Sequence, residues 1–156
     1  MTGISCIEAI RDGIKEEMDR DEGVFVMGPG VGASHPLGDS YSVTKGLKEI
    51  YGPERVRNTP ISETAIISGA VGAAMAGMMP IVEIPFSSHL AIAMDELWNQ
   101  ASKLRYMSGG QFKIPIVVRT SNSMGAGLGP QYSESPESWF IHMPGFKVVV
   151  PSSGTI

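Results

Sequence analysis

Glu63-Thr64-Ala65-Ile66-Ile67-Ser68-Gly69-Ala70-Val71-Gly72-Ala73-Ala74-Met75-Ala76-Gly77, followed by Pro80-Ile81-Val82-Glu83-Ile84, is the stretch whose reading decides the fold. The first block is almost free of charge and too small-sided to cover itself, so it reads as a helix enclosed on most sides. The second is apolar at nearly every position rather than at alternate ones, the pattern of a strand buried on both faces of a parallel sheet. Working outward, Val24-Phe25-Val26-Met27, a brief segment near Arg55 to Arg57, Ile114 to Arg119 and Lys147-Val148-Val149-Val150 read as further strands. Ile7, Ile10, Ile14 and Met18 recur at helical spacing, a short helix is expected from Ser42 to Ile50, and Leu90, Met94, Leu97, Ala101 and Leu104 mark one face of a long helix. The glycine- and serine-rich segment from Gly28 to Ser40 reads as a mobile loop. Strands alternating with helices predict an α/β, doubly wound, mainly parallel sheet with helices on both faces, because parallel strands are joined by right-handed crossovers. Ligands then sit beyond the carboxyl ends of the strands, where Glu63, Pro85 to His89 and Ser121 to Tyr132 gather.

The length of 156 residues fits one domain over 1–156 with a proper core. A hydrophobic share of 42 % and a charged share of 18 % exclude a disordered or fibrous chain. The net charge of −4 comes with scattered rather than clustered Lys and Arg, so no nucleic-acid or membrane partner is expected. A single cysteine, Cys6, excludes an internal disulfide and reads as a buried, inert thiol. With no apolar run of membrane-spanning length and no basic-then-apolar leader, the expected setting is cytoplasmic, or the mitochondrial matrix in a eukaryote.

Most chemical motifs are absent. Gly28-Pro29-Gly30-Val31-Gly32 follows a strand but lacks dinucleotide-fingerprint spacing, and no phosphate loop, HExxH or GxSxG elbow occurs. His35, His89 and His142 show no zinc-ligand spacing, and His142 in its aromatic-rich turn reads as a hydrogen-bonded structural residue. What remains is Thr59-Pro60-Ile61-Ser62-Glu63, which sets a lone carboxylate at the head of the small-residue helix. Two readings stand at this point. Glu63 either complements the helix dipole behind a Ser62 cap, or enters an apolar pocket that disfavours its charged form and equips it for proton chemistry.

Read together, Thr59-Pro60-Ile61-Ser62-Glu63, Gly72-Ala73-Ala74-Met75-Ala76-Gly77, Pro80-Ile81-Val82-Glu83-Ile84, Arg105-Tyr106-Met107-Ser108-Gly109-Gly110 and Pro144-Gly145-Phe146-Lys147-Val148-Val149 form an ordered set. The set resembles the beta subunit of thiamine-diphosphate-dependent 2-oxo-acid dehydrogenases, of the pyruvate and branched-chain type, over about Ile4 to Pro151. The resemblance implies a transketolase-like pyrimidine-binding domain, in which Glu63 hydrogen-bonds the aminopyrimidine of thiamine diphosphate and favours its imino tautomer. The imino nitrogen then takes the proton from the thiazolium carbon. Ile61, Pro85, His89, Gln131 and Tyr132 would wall the aminopyrimidine and the substrate. It further implies oxidative decarboxylation of a 2-oxo acid, pyruvate first, with acyl transfer to a lipoyl carrier. An alpha subunit would hold the diphosphate and its magnesium, since Gly38-Asp39-Ser40 is no substitute for the family's Gly-Asp-Gly motif. A second beta subunit and the lipoyl acyltransferase complete the expected partners, in a heterotetrameric enzyme, and the chain alone is expected to be inactive.

Four departures from that pattern stand out. Two acids usually follow the glycine after the first strand, where this chain has Pro29-Gly30, so proton relay between cofactor sites is in doubt. Tyr132 replaces a histidine that faces substrate. His89 replaces a Phe or Tyr that lies against the aminopyrimidine, which raises the idea that His89 takes over the acid-base duty lost at Tyr132. The family's C-terminal domain, with several potassium ligands, is expected to be missing from 1–156, leaving the Ile116 backbone carbonyl as the potassium candidate. A non-catalytic assembly or regulatory paralogue and a transketolase-type transferase half are the alternatives.

Overall fold

The computed structural model describes residues 3–32, 43–122 and 126–154. The Gly38-Asp39-Ser40 triplet, His35, Ser42 and most of the expected Gly28 to Ser40 loop lie outside the described residues. Helix α1 runs over Cys6–Arg20. It starts where it does because Ser5 and Glu8 form a capping box: Glu8 N–H donates to Ser5 Oγ at 3.2 Å, and Ser5 N–H donates to Glu8 Oε2 at 3.0 Å. Its Ile14 and Met18 are buried as the periodicity requires, whereas Cys6 is only partly covered.

Strands β1 (Val24–Gly28), β2 (Val56–Asn58), β3 (Met79–Phe86) and β4 (Val117–Ser121) form one sheet in the order β2-β1-β3-β4, and every pairing is parallel. The short helix α2 (Leu47–Tyr51) precedes β2, and α3 (Glu63–Met75) connects β2 to β3. From β1 the chain steps one way to β2 and then crosses to β3 on the other side of β1. The two halves of the core follow from this reversal. Val24, Val26, Met79 and Ile81 pack with α1, while Val82 and Ile84 pack with Ile66, Ile67, Ala70 and Val71 of α3. The sheet is therefore covered on both faces, as its apolar runs predict.

Several sequence expectations need correction. Lys147 to Val150 pairs with no strand, and Val149 is 81 % exposed. A valine run carries the same apolar signal whether or not a neighbouring strand edge is available to it. The strand expected from Ile114 begins at Val117, because Pro115 has no N–H for the ladder. The short helix begins at Leu47 rather than Ser42, after the left-handed Gly46 (φ 85°). The long helix is broken into a 3-10 segment, Ser87–Ala93, a π turn, Glu96–Ala101, and the short α4 (Leu104–Met107). Leu90, Ala93 and Leu97 still face the core, so the apolar register survives the change of winding. Nor is α3 enclosed on most sides: Ala65, Ser68, Gly69 and Gly72 form an exposed stripe in the single chain.

One ion pair joins β3 to the edge strand β4. Arg119 donates Nε and Nη2 to the two carboxylate oxygens of Glu83, each at 2.6 Å, and Glu83 is 1 % exposed. This side-on geometry satisfies both partners where a lone charge would be very costly. Gly28 makes the close approach beside it possible. With φ at 154°, its missing Cβ leaves room for the Glu83 carbonyl, which any side chain would strike.

Candidate functional site

Three local features gather side chains at the carboxyl ends of the strands. The first is the start of α3, where Ser62 occupies the cap position without a side-chain cap bond and Glu63 turns inward, 5 % exposed. The capping reading of Ser62 is therefore not realised. The second is a bulge at Pro85, where Ile84 and Phe86 lie opposite the consecutive residues Thr120 and Ser121. Pro85 cannot donate to the ladder, and its carbonyl instead accepts from Ser121 Oγ at 2.6 Å. The bulge redirects the chain into the 3-10 segment that carries His89. The third is a 3-10 turn, Pro130–Tyr132, tied down next to that segment by the Ser87 hydroxyl, which donates to the Glu134 carbonyl at 3.2 Å.

These elements bring three of the expected residues together. His89 Nδ1 lies 3.2 Å from Glu63 Oε1, with the imidazole side chain 26 % exposed and the carboxylate side chain 7 %. The His89 ring stands edge-on to Phe86 (5.4 Å between centroids) and to Tyr132 (5.7 Å), and Phe86 and Tyr132 are 4.6 Å apart. Edge and tilted contacts at these separations are favourable for aromatic rings, so the cluster holds the imidazole in place. Gln131 is exposed, its Nε2 3.4 Å from Tyr132 Oη. Pro85 is half-buried at the bulge, and Ile61 is 78 % exposed on the approach to α3. Ile116 sits just before β4, partly packed on the core, and no cluster of three or more potential His, Cys, Asp or Glu ligands occurs among the described residues. His142 is exposed, and its ring lies 5.8 Å from that of Trp98.

Sequence reasoning passed over the polar groups beside these residues. Thr59 Oγ1, Ser88 Oγ, Thr120 Oγ1 and Asn122 Oδ1 are buried and unpartnered among the described residues. Thr59, Ser88 and Asn122 follow strands and Thr120 is the penultimate residue of β4, so all four lie towards the carboxyl ends of the strands. Buried hydroxyls are rarely left without a partner, so an orphan set at one end of a sheet suits a polar ligand. Thr59 also lines a cleft of about 180 Å³ with Met27, Pro60, Ser62, Ala65 and Ile66. That is well below the ~300 Å³ at which pockets for whole small molecules begin, and is room for a single ring. A larger depression of about 680 Å³, lined by residues from Ser102 to Gly110 and by Pro144 and Gly145, contains none of the candidate residues.

By architecture this is an α/β domain of the doubly wound class, with an incompletely partnered buried carboxylate at its topological switch point. The chain belongs to the family of the transketolase pyrimidine-binding domain, whose model matches residues 2–155. It is 44 % identical over 98 % of its length to the pyruvate dehydrogenase E1 component subunit beta of Chaetosphaeridium globosum, and covers 46 % of that protein. Similarity to the mitochondrial subunit beta-2 of Oryza sativa subsp. japonica is 44 % over 94 % of the chain and 38 % of the relative, and to the subunit beta of Rickettsia felis 45 % over 96 % and 45 %. The chain thus spans less than half the length of these curated relatives. Among solved structures, a split gene transketolase described as an inactive beta4 tetramer superposes with a TM-score of 0.65 at 19 % identity, over 91 % of this chain and 41 % of that one. That likeness concerns the fold. No helix among the described residues is long and apolar enough to cross a membrane.

Proposed function

We propose that this chain is the aminopyrimidine-binding part of a 2-oxo-acid dehydrogenase beta subunit, acting on pyruvate with thiamine diphosphate and with an alpha subunit. The observation that carries the reading is the placement of Glu63, buried at the head of α3 against the His89 imidazole, at the end of the sheet where the orphan hydroxyls of Thr59, Ser88 and Thr120 also lie. These residues fit an aminopyrimidine, a flat ring with polar edges. Bound thiamine diphosphate supplies the electron sink for loss of carbon dioxide. A lipoyl carrier is the proposed acceptor of the acyl group.

Within that scheme Glu63 holds or shares a proton at the pyrimidine ring nitrogen. Its low exposure keeps water from competing for the bond. Phe86, Tyr132 and His89 form an aromatic wall, and Thr59 and Ser88 offer hydroxyls to the ring's polar edge. Tyr132 offers its hydroxyl as a hydrogen-bond donor to the bound ring or substrate. Pro85 and Gln131 frame the wall, while Ile61 waits exposed for a partner surface. Magnesium is assigned to the alpha subunit, and the Ile116 carbonyl is the single potassium ligand proposed here.

The cleft is too small for a whole cofactor, which supports a site shared between chains. So does the exposed Ala65-Ser68-Gly69-Gly72 stripe, whose small side chains allow another backbone to approach closely. The alpha subunit, a second beta subunit and a lipoyl acyltransferase are the proposed partners, in the cytoplasm or the mitochondrial matrix. The test is pyruvate decarboxylation with thiamine diphosphate and magnesium, by the chain alone, with the alpha subunit, and with Glu63→Gln in that mixture. Activity is expected only in the second case. Turnover by the chain alone contradicts the shared site, and equal rates with and without Glu63→Gln contradict the catalytic role.

A further inference from the structure

We infer that His89 is a positioning residue that acts through Glu63, holding one carboxylate oxygen and passing its proton to solvent. The inference rests on the reading of Glu63 given above. Its warrant is a gradient of exposure along one line of atoms. Glu63 is nearly sealed, its Oε1 lies 3.2 Å from His89 Nδ1, and the imidazole itself is about a quarter open to solvent. Among the described residues no hydrogen bond or ion pair occupies Glu63 Oε2 or His89 Nε2. Oε2 is thus left for a ligand and Nε2 for water, while the two inner atoms face each other.

The transfer balances without any other reactant. A proton on Glu63 passes to Nδ1, the imidazole releases the Nε2 proton to water, and the pair rests as carboxylate with a neutral ring protonated at Nδ1. Reversal reloads the carboxylate. A carboxylate this buried exchanges protons slowly unless a group of this kind connects it to water. The Phe86 and Tyr132 rings keep the imidazole from rotating out of line. This differs from a role in which His89 acts on the substrate, because here the atom it touches is Glu63.

Two measurements test the assignment. In the ligand-free chain, nitrogen-15 spectra should show the neutral His89 ring protonated at Nδ1, moving to Nε2 in Glu63→Gln. An Nε2-protonated ring in the unsubstituted chain overturns the contact. In the assembly with the alpha subunit and saturating thiamine diphosphate, deuterium exchange at the thiazolium carbon should slow about tenfold in both His89→Phe and His89→Asn. Exchange at the unsubstituted rate in either variant overturns the relay, Asn because it can hold the carboxylate but cannot pass a proton. If Glu63→Gln also exchanges at that rate, the failure lies in the role proposed for Glu63 itself.

Discussion

Glu83 and Glu63 are both buried carboxylates, and the structure treats them in opposite ways. Glu83 lies in the middle of β3, and the Arg119 guanidinium takes both of its oxygens at 2.6 Å. Glu63 lies at the rim, where the His89 imidazole at 3.2 Å is its one side-chain partner among the described residues. The difference teaches how to separate structure from chemistry among buried acids. Full neutralisation by a fork-shaped cation leaves nothing for a ligand, whereas incomplete pairing at the ligand end of a parallel sheet leaves a group whose hydrogen bonding is still available.

The sharpest way to break this contrast is to strip Glu83 of its partner. Arg119→Met should cost about 3–5 kcal/mol in urea unfolding, because a buried carboxylate loses its two-pronged guanidinium bond. A loss below about 1 kcal/mol, within the range of surface pairs, would make the pair incidental. Gly28→Ala presses a methyl group onto the Glu83 carbonyl and should cost about 2 kcal/mol by the same assay. A neutral result there would mean that β1 can move away from β3 without penalty.

A third carboxylate, Glu8, extends the series to the surface. The Ser5 hydroxyl, and then the Ser5 N–H, hold its ionised form below the ordinary carboxylate range. Because the folded value is lowered, the associated stability is present above the unfolded value and is lost as pH falls through the folded one. Glu8→Gln should flatten only that acid limb of the stability curve, a smaller effect than either buried change. An unaltered acid limb would remove the capping box from the account. The smallest expected change in stability is at the α3 stripe. Gly72 has open space where a side chain would go, so Gly72→Leu should leave the unfolding midpoint in place while preventing assembly with a partner chain on a sizing column. Normal assembly would show that the stripe is not an interface.

Much of the fold was legible because continuous apolar runs report burial on both faces of a sheet. The runs at Val24 and Ile81 did so, the run from Ile114 gave a strand that stays only partly covered at the sheet edge, and the helix from Cys6 followed its own periodicity. Lys147 to Val150 misled because pairing depends on which strand edges are free, a property of the assembled sheet. The broken helix after β3 was hidden because 3-10, α and π turns can all keep Leu90 and Leu97 inward. At the site, the burial of Glu63 was legible from its isolation in an uncharged stretch, whereas its proposed role came only from the family resemblance. The contact between Glu63 and His89 was not legible, since these residues are brought together only by the return of the chain through β3 and the bulge at Pro85. The Glu83–Arg119 pair left a signal that could have been used: each residue is the one charge within an apolar strand core, and opposite signs on two such strands ask to be neighbours.

The most direct test of the central claim substitutes glutamine for each of the two acids in the assembly with the alpha subunit, and measures pyruvate decarboxylation and the unfolding midpoint for both. Glu63→Gln should lower the rate about 100-fold or more with the midpoint unchanged, while Glu83→Gln should lower the midpoint first. An unchanged rate in Glu63→Gln would contradict the account.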